Sequence, residues 1–389
     1  MRPEKLAIVD AVERLADELD QLSRRIHDNP ELGYEELKAC GWLTEFLGRQ
    51  GFKVEKGVGG VDTAFRATIE TGEGATIAIL CEYDALPGIG HACGHNVIAT
   101  AGAGAGAALA AIRAQLPRGR IHVLGTPAEE GGGGKIRLIK AGLFKTVDCA
   151  LMVHGFDRTL LHQDHLGIVR AGFEFRGKAS HASADPWEGV NALDACIQMF
   201  NNVAMLRQQT RPDCRIHGII THGGAAANII PEHAAALFYV RAPRIDQMWA
   251  LYQRVVACAE AAARATGATL TVTQHDNVYE PLKRNQPLLD LFAANMTTVG
   301  MKEGEPIRDR MGSSDIGNVS QIVPAIQPMV AIAPTGMAIH TREFAAAAVQ
   351  PMARAGMLAA AKTLAMTAFD LLAEPARVQA AKDEFARAR

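Results

Sequence analysis

The sequence predicts an α/β chain: a mostly parallel sheet with helices on its faces, and a ferredoxin-like α+β domain inserted into it. Three observations predict this. Apolar runs of strand length alternate with helical patterns between residues 75 and 155, and again after 278. The stretch between them runs strand–helix–strand–strand–helix–strand, the order of a self-contained ferredoxin-like unit. At 389 residues the chain is also too long for one ordinary domain. The expected boundaries are 1–168 for the first part of the larger domain, 169–277 for the insert and 278–389 for the second part.

The first 25 residues carry apolar positions at helical spacing and end near Asn29-Pro30, and residues 36–50 read as helix up to Gly51. ATIAIL (75–80) is a buried-type strand, RIHVLGT (120–126) a second and VDCALMVHG (147–155) a third. Between the first two lies an Ala/Gly-rich helix (97–112). In the insert, IVRAGFEFRGKASHA, RIHGIITHGG, AAALFYVRA and TLTVTQH read as strands. NALDACIQMFNNVAMLRQQ and IDQMWALYQRVVACAEAAARATG read as helices. VPAIQPMVAIA (323–333) is a further strand, an Ala-rich helix starts near 344, and the tail reads as a solvated amphipathic helix.

Composition narrows the function classes. Hydrophobic residues are 48% and charged residues 21%, a globular balance. Forty basic residues face 42 acidic ones, giving a formal net charge of −2 and no global field for nucleic acid or an anionic membrane. The seven cysteines (40, 81, 93, 149, 196, 214, 258) are odd in number, widely spaced and without a CxxC pair. That is no disulfide framework, and the expectation is a reducing, cytoplasmic setting. The first residues are charged and amphipathic, unlike a signal peptide. The Ala/Gly stretch is too short and too weakly apolar for a membrane span.

Two clusters carry chemistry. In His91-Ala92-Cys93-Gly94-His95-Asn96, a thiol and an imidazole two residues apart can reach one ion if Gly94 turns the backbone. The following helix would lower the thiol pKa through its N-terminal dipole. The same spacing fits a buried thiol beside a capping histidine. In Gly125-Thr126-Pro127-Ala128-Glu129-Glu130, two adjacent carboxylates follow a strand, where ligand sites of open α/β sheets lie. On extended backbone they point opposite ways, so one can ligate a metal and the other can take a proton from water. A solvated pair in a flexible loop is the alternative. His154 and His340 each lie just past a predicted strand. Singly they read as structural histidines. Together the four segments supply one Cys, three His and one Glu, which suits zinc or another late divalent ion, not calcium or magnesium.

The chain resembles the zinc aminoacylase and glutamate-carboxypeptidase family of metallohydrolases. It is nearest the branch with aminobenzoyl-glutamate hydrolase, the indoleacetyl-amino-acid hydrolases and dipeptidase-like aminoacylases. The resemblance runs almost end to end, through RRIHDNPELGYEE (24–36), CEYDALPGIGHACGHN (81–96), GTPAEEGGGGK (125–135), GKASHASADPWEGVNALDA (177–195), THGGAAANIIPEH (221–233) and PTGMAIHTREF (334–344).

That resemblance implies a paired divalent site, zinc first and manganese, cobalt or nickel as options, held by Cys93, His95, Glu130, His154 and His340. It implies Glu129 as general base, His181 as an oxyanion-stabilising residue, often from a partner subunit, Asn228 and Arg241 as holders of a substrate carboxylate, and Asp84 as a carboxylate that orients a ligand. The insert becomes a lid and dimerisation domain, with RIHGIITHG as an edge able to pair across a two-fold axis into a homodimer. The implied substrate is an N-acyl amino acid or dipeptide with a free carboxylate. An N-carbamoyl-amino-acid hydrolase on the same scaffold and a non-catalytic metal or peptide binder are the rivals. Three departures stand out: Glu82-Tyr83-Asp84 where many relatives have His-x-Asp, His154-Gly155 where the nearest branch often has His-Pro, and the polar run 161–165. The first implies that position 82 is not a ligand. His27 lies in a motif without an assigned role.

Overall fold

A computed structural model describes residues 1–307 and 311–387 of the chain. These divide into two compact units, one of residues 1–163, 282–307 and 314–387, the other of 164–281 and 311–313.

The first unit is built on a six-stranded sheet. Its strands are β1 (Lys53–Lys56), β2 (Phe65–Glu70), β3 (Thr76–Cys81), β4 (Arg120–Gly125), β5 (Cys149–Leu151) and β11 (Ala325–Ile326). They lie in the order β1-β2-β4-β3-β5-β11. β3 pairs in parallel with β4 and β5, and β5 with β11, while β1 and β2 form an antiparallel edge. Alternation along the strands explains why β3 reads as a continuous apolar run. Ile77, Ile79 and Cys81 enter one core, Ala78 and Leu80 the core on the opposite face. The larger core takes in helices α1 (Pro3–Arg14), α2 (Ala16–His27), α3 (Leu37–Arg49) and α4 (His95–Ala111).

Helix α4 is the Ala/Gly helix, and its composition has a packing reason. A Cβ at Gly102 would lie 2.6 Å from Cys81 Sγ, one at Gly106 2.5 Å from Val123 Cγ2, and one at Gly104 2.9 Å from Leu19 Cδ1. Side chains are thus excluded on both the sheet-facing and the helix-facing side, and the helix lies closer to β3 and β4 than a leucine face would allow. The smaller core takes in α5 (Gly134–Lys140).

Two expected strands are each broken in two. The run 147–155 forms β5 and then β6 (His154–Phe156), and 323–333 forms β11 and then β12 (Met329–Ala331). β6 pairs with β12 in a separate two-stranded sheet. Pro328 accounts for the break, since it has no N–H for the ladder; its carbonyl still accepts from His154 N at 2.9 Å. His154 therefore opens a short strand instead of ending a long one.

The second unit begins with β7 (Gly167–Arg176) and continues through α6 (Ala192–Leu206), β8 (Arg215–His222), β9 (His233–Ala242), α7 (Ile245–Thr266) and β10 (Thr269–Gln274). Its antiparallel sheet has the order β10-β7-β9-β8, the ferredoxin-like arrangement. Buried and half-buried residues alternate along β9, and the buried set packs with α6 and α7. β8 is an edge strand, mostly exposed, with Ile219 and Ile220 at 62% and 42% exposure.

The chain then returns to the first unit through α8 (Gln286–Thr298), α9 (Ile316–Ser320), α10 (Arg342–Ala347), α11 (Pro351–Ala373) and α12 (Pro375–Arg387). α11 is long and apolar enough to cross a membrane, yet 78% of its apolar window is buried inside the protein, packed along α4 and α8 as a core helix. Among the described residues all seven cysteines are free thiols.

Candidate metal centre

The ends of β3 and β4, the start of α4, the head of β6 and the turn before α10 converge in the first unit. Gly94 caps α4 at φ +76°, a left-handed conformation that costs glycine little. That turn brings Cys93 and His95 together although they flank it. Cys93 Sγ lies 3.5 Å from His154 Nε2. Donor atoms of Cys93, His95 and His154 lie within 4.8 Å of one another; so do those of Cys93, Glu130 and His340, and those of His95, Glu129 and Glu130. His340 Nε2 is 3.3 Å from Glu130 Oε1. The five residues expected as ligands, and Glu129 beside them, thus form one overlapping cluster.

Asp84 orients this cluster. His95 Nδ1 lies 2.8 Å from the Asp84 carbonyl and 3.2 Å from its Oδ1, so Nδ1 carries the proton. Nε2 is thereby the ring nitrogen left to ligate an ion. Asp84 Oδ2 also accepts from Glu130 N at 2.9 Å. The turn carrying the carboxylates is tied further by Glu36 Oε1, which accepts from Ala128 N at 2.8 Å. Two non-glycine residues at this centre are left-handed, Ala128 at φ +59° and His340 at φ +62°. Such backbone costs on the order of 1–3 kcal/mol per residue and persists where surrounding bonds enforce it. His340 N donates to the Ala92 carbonyl at 2.8 Å.

The donor set fits a divalent ion. Among the described residues, buried His95 Nε2 has no hydrogen-bond partner, and buried Glu130 Oε1 has only His340 Nε2, 3.3 Å away. Buried polar atoms of this kind are rare unless something binds them. Thiolate, imidazole and a single carboxylate are the ligands that late divalent ions select.

Charges at the centre are sharply divided. Burial and then the charges of Glu82, Glu130 and Asp315 hold the Glu129 carboxyl far above the usual range. For neighbouring Glu130, burial is outweighed by the hydrogen bond from His340 and the charge of His95, so its carboxyl lies below the usual range. The two adjacent carboxyls are thus driven in opposite directions by their surroundings. The Cys93 thiol corrects the sequence expectation. Burial, with Glu130 next, pushes its pKa well up, overriding the helix dipole. For His95, burial opposes protonation but is outweighed by Asp84 and Cys93, and its pKa is raised.

The second unit holds His181, Asn228 and Arg241. His181 Nδ1 accepts from the backbone N–H of Ser183 and Ala184 at 3.3 and 3.2 Å, which leaves Nε2 as the protonated, donating nitrogen. Asn228 is its neighbour, since the Asn228 carbonyl accepts from Ala182 N at 3.0 Å. Arg241 lies at the other end of the sheet. The register pairs it with Ile168, whereas His181 follows Arg176, the last residue of β7. Eight residues of strand, roughly 26 Å, separate Ile168 from Arg176. One chain therefore does not bring Asn228 and Arg241 to the same end of this sheet. Arg241 Nη1 donates to Ser313 Oγ at 3.2 Å, and its Nε is buried without a partner. Among the described residues no carboxylate pairs with Arg241.

Residues 78–363 match the peptidase family M20/M25/M40. The chain belongs to this family. It is accordingly a metal-dependent amidohydrolase of the metallopeptidase type. Relatives include the Xaa-Arg dipeptidase of Mus musculus, 40% identical over 98% of this chain and 92% of that protein. Another is a p-aminobenzoyl-glutamate hydrolase polypeptide of Escherichia coli (strain K12), 28% identical over 97% of this chain and 94% of that one. A Bacillus subtilis structure described as a dinuclear metal binding peptidase from the M20 family shares the fold. Its TM-score is 0.72 at 18% identity, covering 93% of this chain and 99% of that one.

Sequence reasoning missed one part of the M20 centre. Glu82, Lys135 and Asp315 are wholly buried and joined by ion pairs through the Lys135 ammonium. Position 82 thus has a partner of its own in Lys135. The signal available was a lysine directly after a glycine run, GGGGK, and an aspartate directly before a short helical segment, SSDIGNVS. Their pairing across 180 residues left no local trace.

Proposed function

We propose that this M20-family enzyme hydrolyses the amide bond of N-acyl amino acids or dipeptides that end in a free carboxylate. The observation that carries the reading is the clustering of the neighbouring Glu129 and Glu130 carboxyls, the first pushed up and the second down, with a Cys–His donor set whose donor atoms lie within 4.8 Å of one another. The names of relatives support the substrate class: Xaa-Arg dipeptidase in mouse and human, p-aminobenzoyl-glutamate hydrolase, and amino acid hydrolases of Arabidopsis thaliana.

Cys93, His95, Glu130, His154 and His340 would hold two divalent ions, zinc foremost, which when bound would supply Lewis acidity and a lowered pKa for a water molecule. Glu129 takes the proton of that water and delivers it to the leaving amine nitrogen. Glu130 stays anionic, and Asp84 keeps His95 in the tautomer whose Nε2 is free to ligate. Arg241 holds the substrate carboxylate, for which a largely buried guanidinium with no carboxylate partner among the described residues is suited. His181 donates Nε2–H to the oxyanion of the tetrahedral intermediate. We further propose a homodimer joined along β8. Its exposed edge and its isoleucines support this, as does the roughly 26 Å of strand between Arg241 and the His181–Asn228 loops. Completing one site with His181 and Asn228 from a partner chain removes that gap.

The test is a panel of N-acyl, N-carbamoyl and dipeptide substrates on zinc-, manganese- and cobalt-reconstituted protein, alongside Glu129→Gln. The Gln variant is expected to keep its metal and to lose about 10²–10⁴-fold in kcat. Full activity in that variant would dismiss Glu129 as the base, and turnover of carbamoyl substrates alone would dismiss the acyl-amino-acid reading.

A further inference from the structure

Lys135 is fully buried in the first turn of α5. Its ammonium is ion-paired with Glu82 Oε2 and, at 2.6 Å, with Asp315 Oδ1. Asp315 Oδ2 also accepts the backbone N–H of Lys135 at 2.9 Å, so one carboxylate fixes both ends of the residue. Glu82 and Asp315 are themselves fully buried. Carboxylate oxygens of Glu82, Asp315 and Glu129 lie within 4.8 Å of one another. Three carboxyl groups at that spacing form a donor set for a cation, and here the chain supplies the cation itself.

The backbone is shaped to bring it there. A Cβ at Gly134 would stand 1.8 Å from the Pro127 carbonyl oxygen, so only glycine lets α5 start directly against the turn that bears Glu129. Lys135 is the next residue. Glu82 arrives from the end of β3 and Asp315 from the start of α9, so the ammonium clamps three separate segments around one carboxyl.

We propose that Lys135 is a positioning residue for Glu129: by holding Glu82 and Asp315 in place, it keeps them from displacing the Glu129 carboxyl from its working position. Without the ammonium the two fixed anions would repel the deprotonated Glu129, the form that acts as base, at short range in a dry site where such forces are weakly screened. A lysine that merely balanced buried charge would be dispensable once the charge was balanced another way. This inference rests on Glu129 being the base.

The experiment uses the full-length, metal-reconstituted enzyme. Lys135→Met alone leaves two buried anions unpaired and is expected to lose stability. The informative variants are therefore D315N/K135M and E82Q/K135M, each of which removes the cation together with one negative charge. Tm, metal equivalents, kcat and KM are measured for each. The proposal expects a double variant with native metal content and KM within threefold of wild type, but kcat reduced more than tenfold. A double variant that recovers Tm and also comes within tenfold of wild-type kcat overturns it, leaving Lys135 as charge balance. Glu129→Gln in the same assays separates the two readings. If that variant is active, the base assignment fails; if it is inactive while the double variants work, only the positioning role fails.

Discussion

Replacing Arg241 with methionine is expected to weaken catalysis and strengthen the fold at once. Among the described residues this guanidinium has one neutral partner, Ser313, and a buried Nε with none. Burial first, and the charge of Arg170 second, pull its pKa down. A buried donor left unsatisfied costs about 1–3 kcal/mol. Methionine keeps the apolar stem and removes that cost, for a rise of roughly 3–6 °C in Tm per kcal/mol in a domain of this size. The loss appears with substrate. A charged hydrogen-bonded grip on a carboxylate is worth about 1.5–3 kcal/mol, or roughly 10- to 150-fold in kcat/KM. The assay compares a dipeptide with its C-terminal carboxamide. Wild type is expected to prefer the free acid by that factor, and the methionine variant to treat both alike. If the variant still discriminates, or if it melts lower than wild type, Arg241 is a structural ion and the reasoning fails.

Three further outcomes are expected. Buried His122 is held down to about 4 from an ordinary value of 6.5 by burial, then by Arg66 and Arg120. The unfolded chain takes up a proton near pH 6.5 that the folded chain refuses until about 4, so stability falls as pH drops through that window, by roughly 3 kcal/mol at its foot. His122→Gln should remove that slope in urea melts; an unchanged slope would exclude the histidine as its source. Ile219→Asp with Ile220→Asp should convert a dimer into a monomer in light scattering, and a monomeric wild type would end the edge-pairing proposal. Gly106→Ala gains about 1 kcal/mol of helix propensity but puts a methyl 2.5 Å from Val123 Cγ2, a clash worth about 1–3 kcal/mol. A net fall in Tm is expected, and a stabilised variant would mean the seam is slacker than described.

Much of the fold was legible because its patterns are local. The β-α-β-β-α-β order of the second unit follows from periods of two and 3.6 residues, and the exposed edge β8 from the same reading. The splitting of 147–155 and 323–333 was missed, because both runs are mostly apolar and of strand character from end to end. Only the divergence of their partners around Pro328 shows where one sheet stops and another starts. That Cys93, His95, Glu130, His154 and His340 come together could be read because each lies after a strand or at the start of a helix. The sign of the Cys93 shift could not, since depth of burial is a property of the assembled core. Lys135 and Asp315 escaped for the same reason: an ion pair across 180 residues has no periodicity.

The glycine seam of α4 also fixes a tolerance. Gly102 and Gly106 face the sheet, Gly104 faces α2, and alanines fill every position between them. Sliding the helix by one residue, about 1.5 Å, would drive a methyl group into each of the three slots at once. The helix is keyed to its bed like a shaft in a keyway, with its first residue, His95, at the working end. Whatever strain the substrate or the ions apply there, α4 cannot absorb it by creeping along or around its axis. The seat of His95 is thereby registered to the sheet by steric stops set two to three turns away, a mechanical precision achieved with the smallest side chains available.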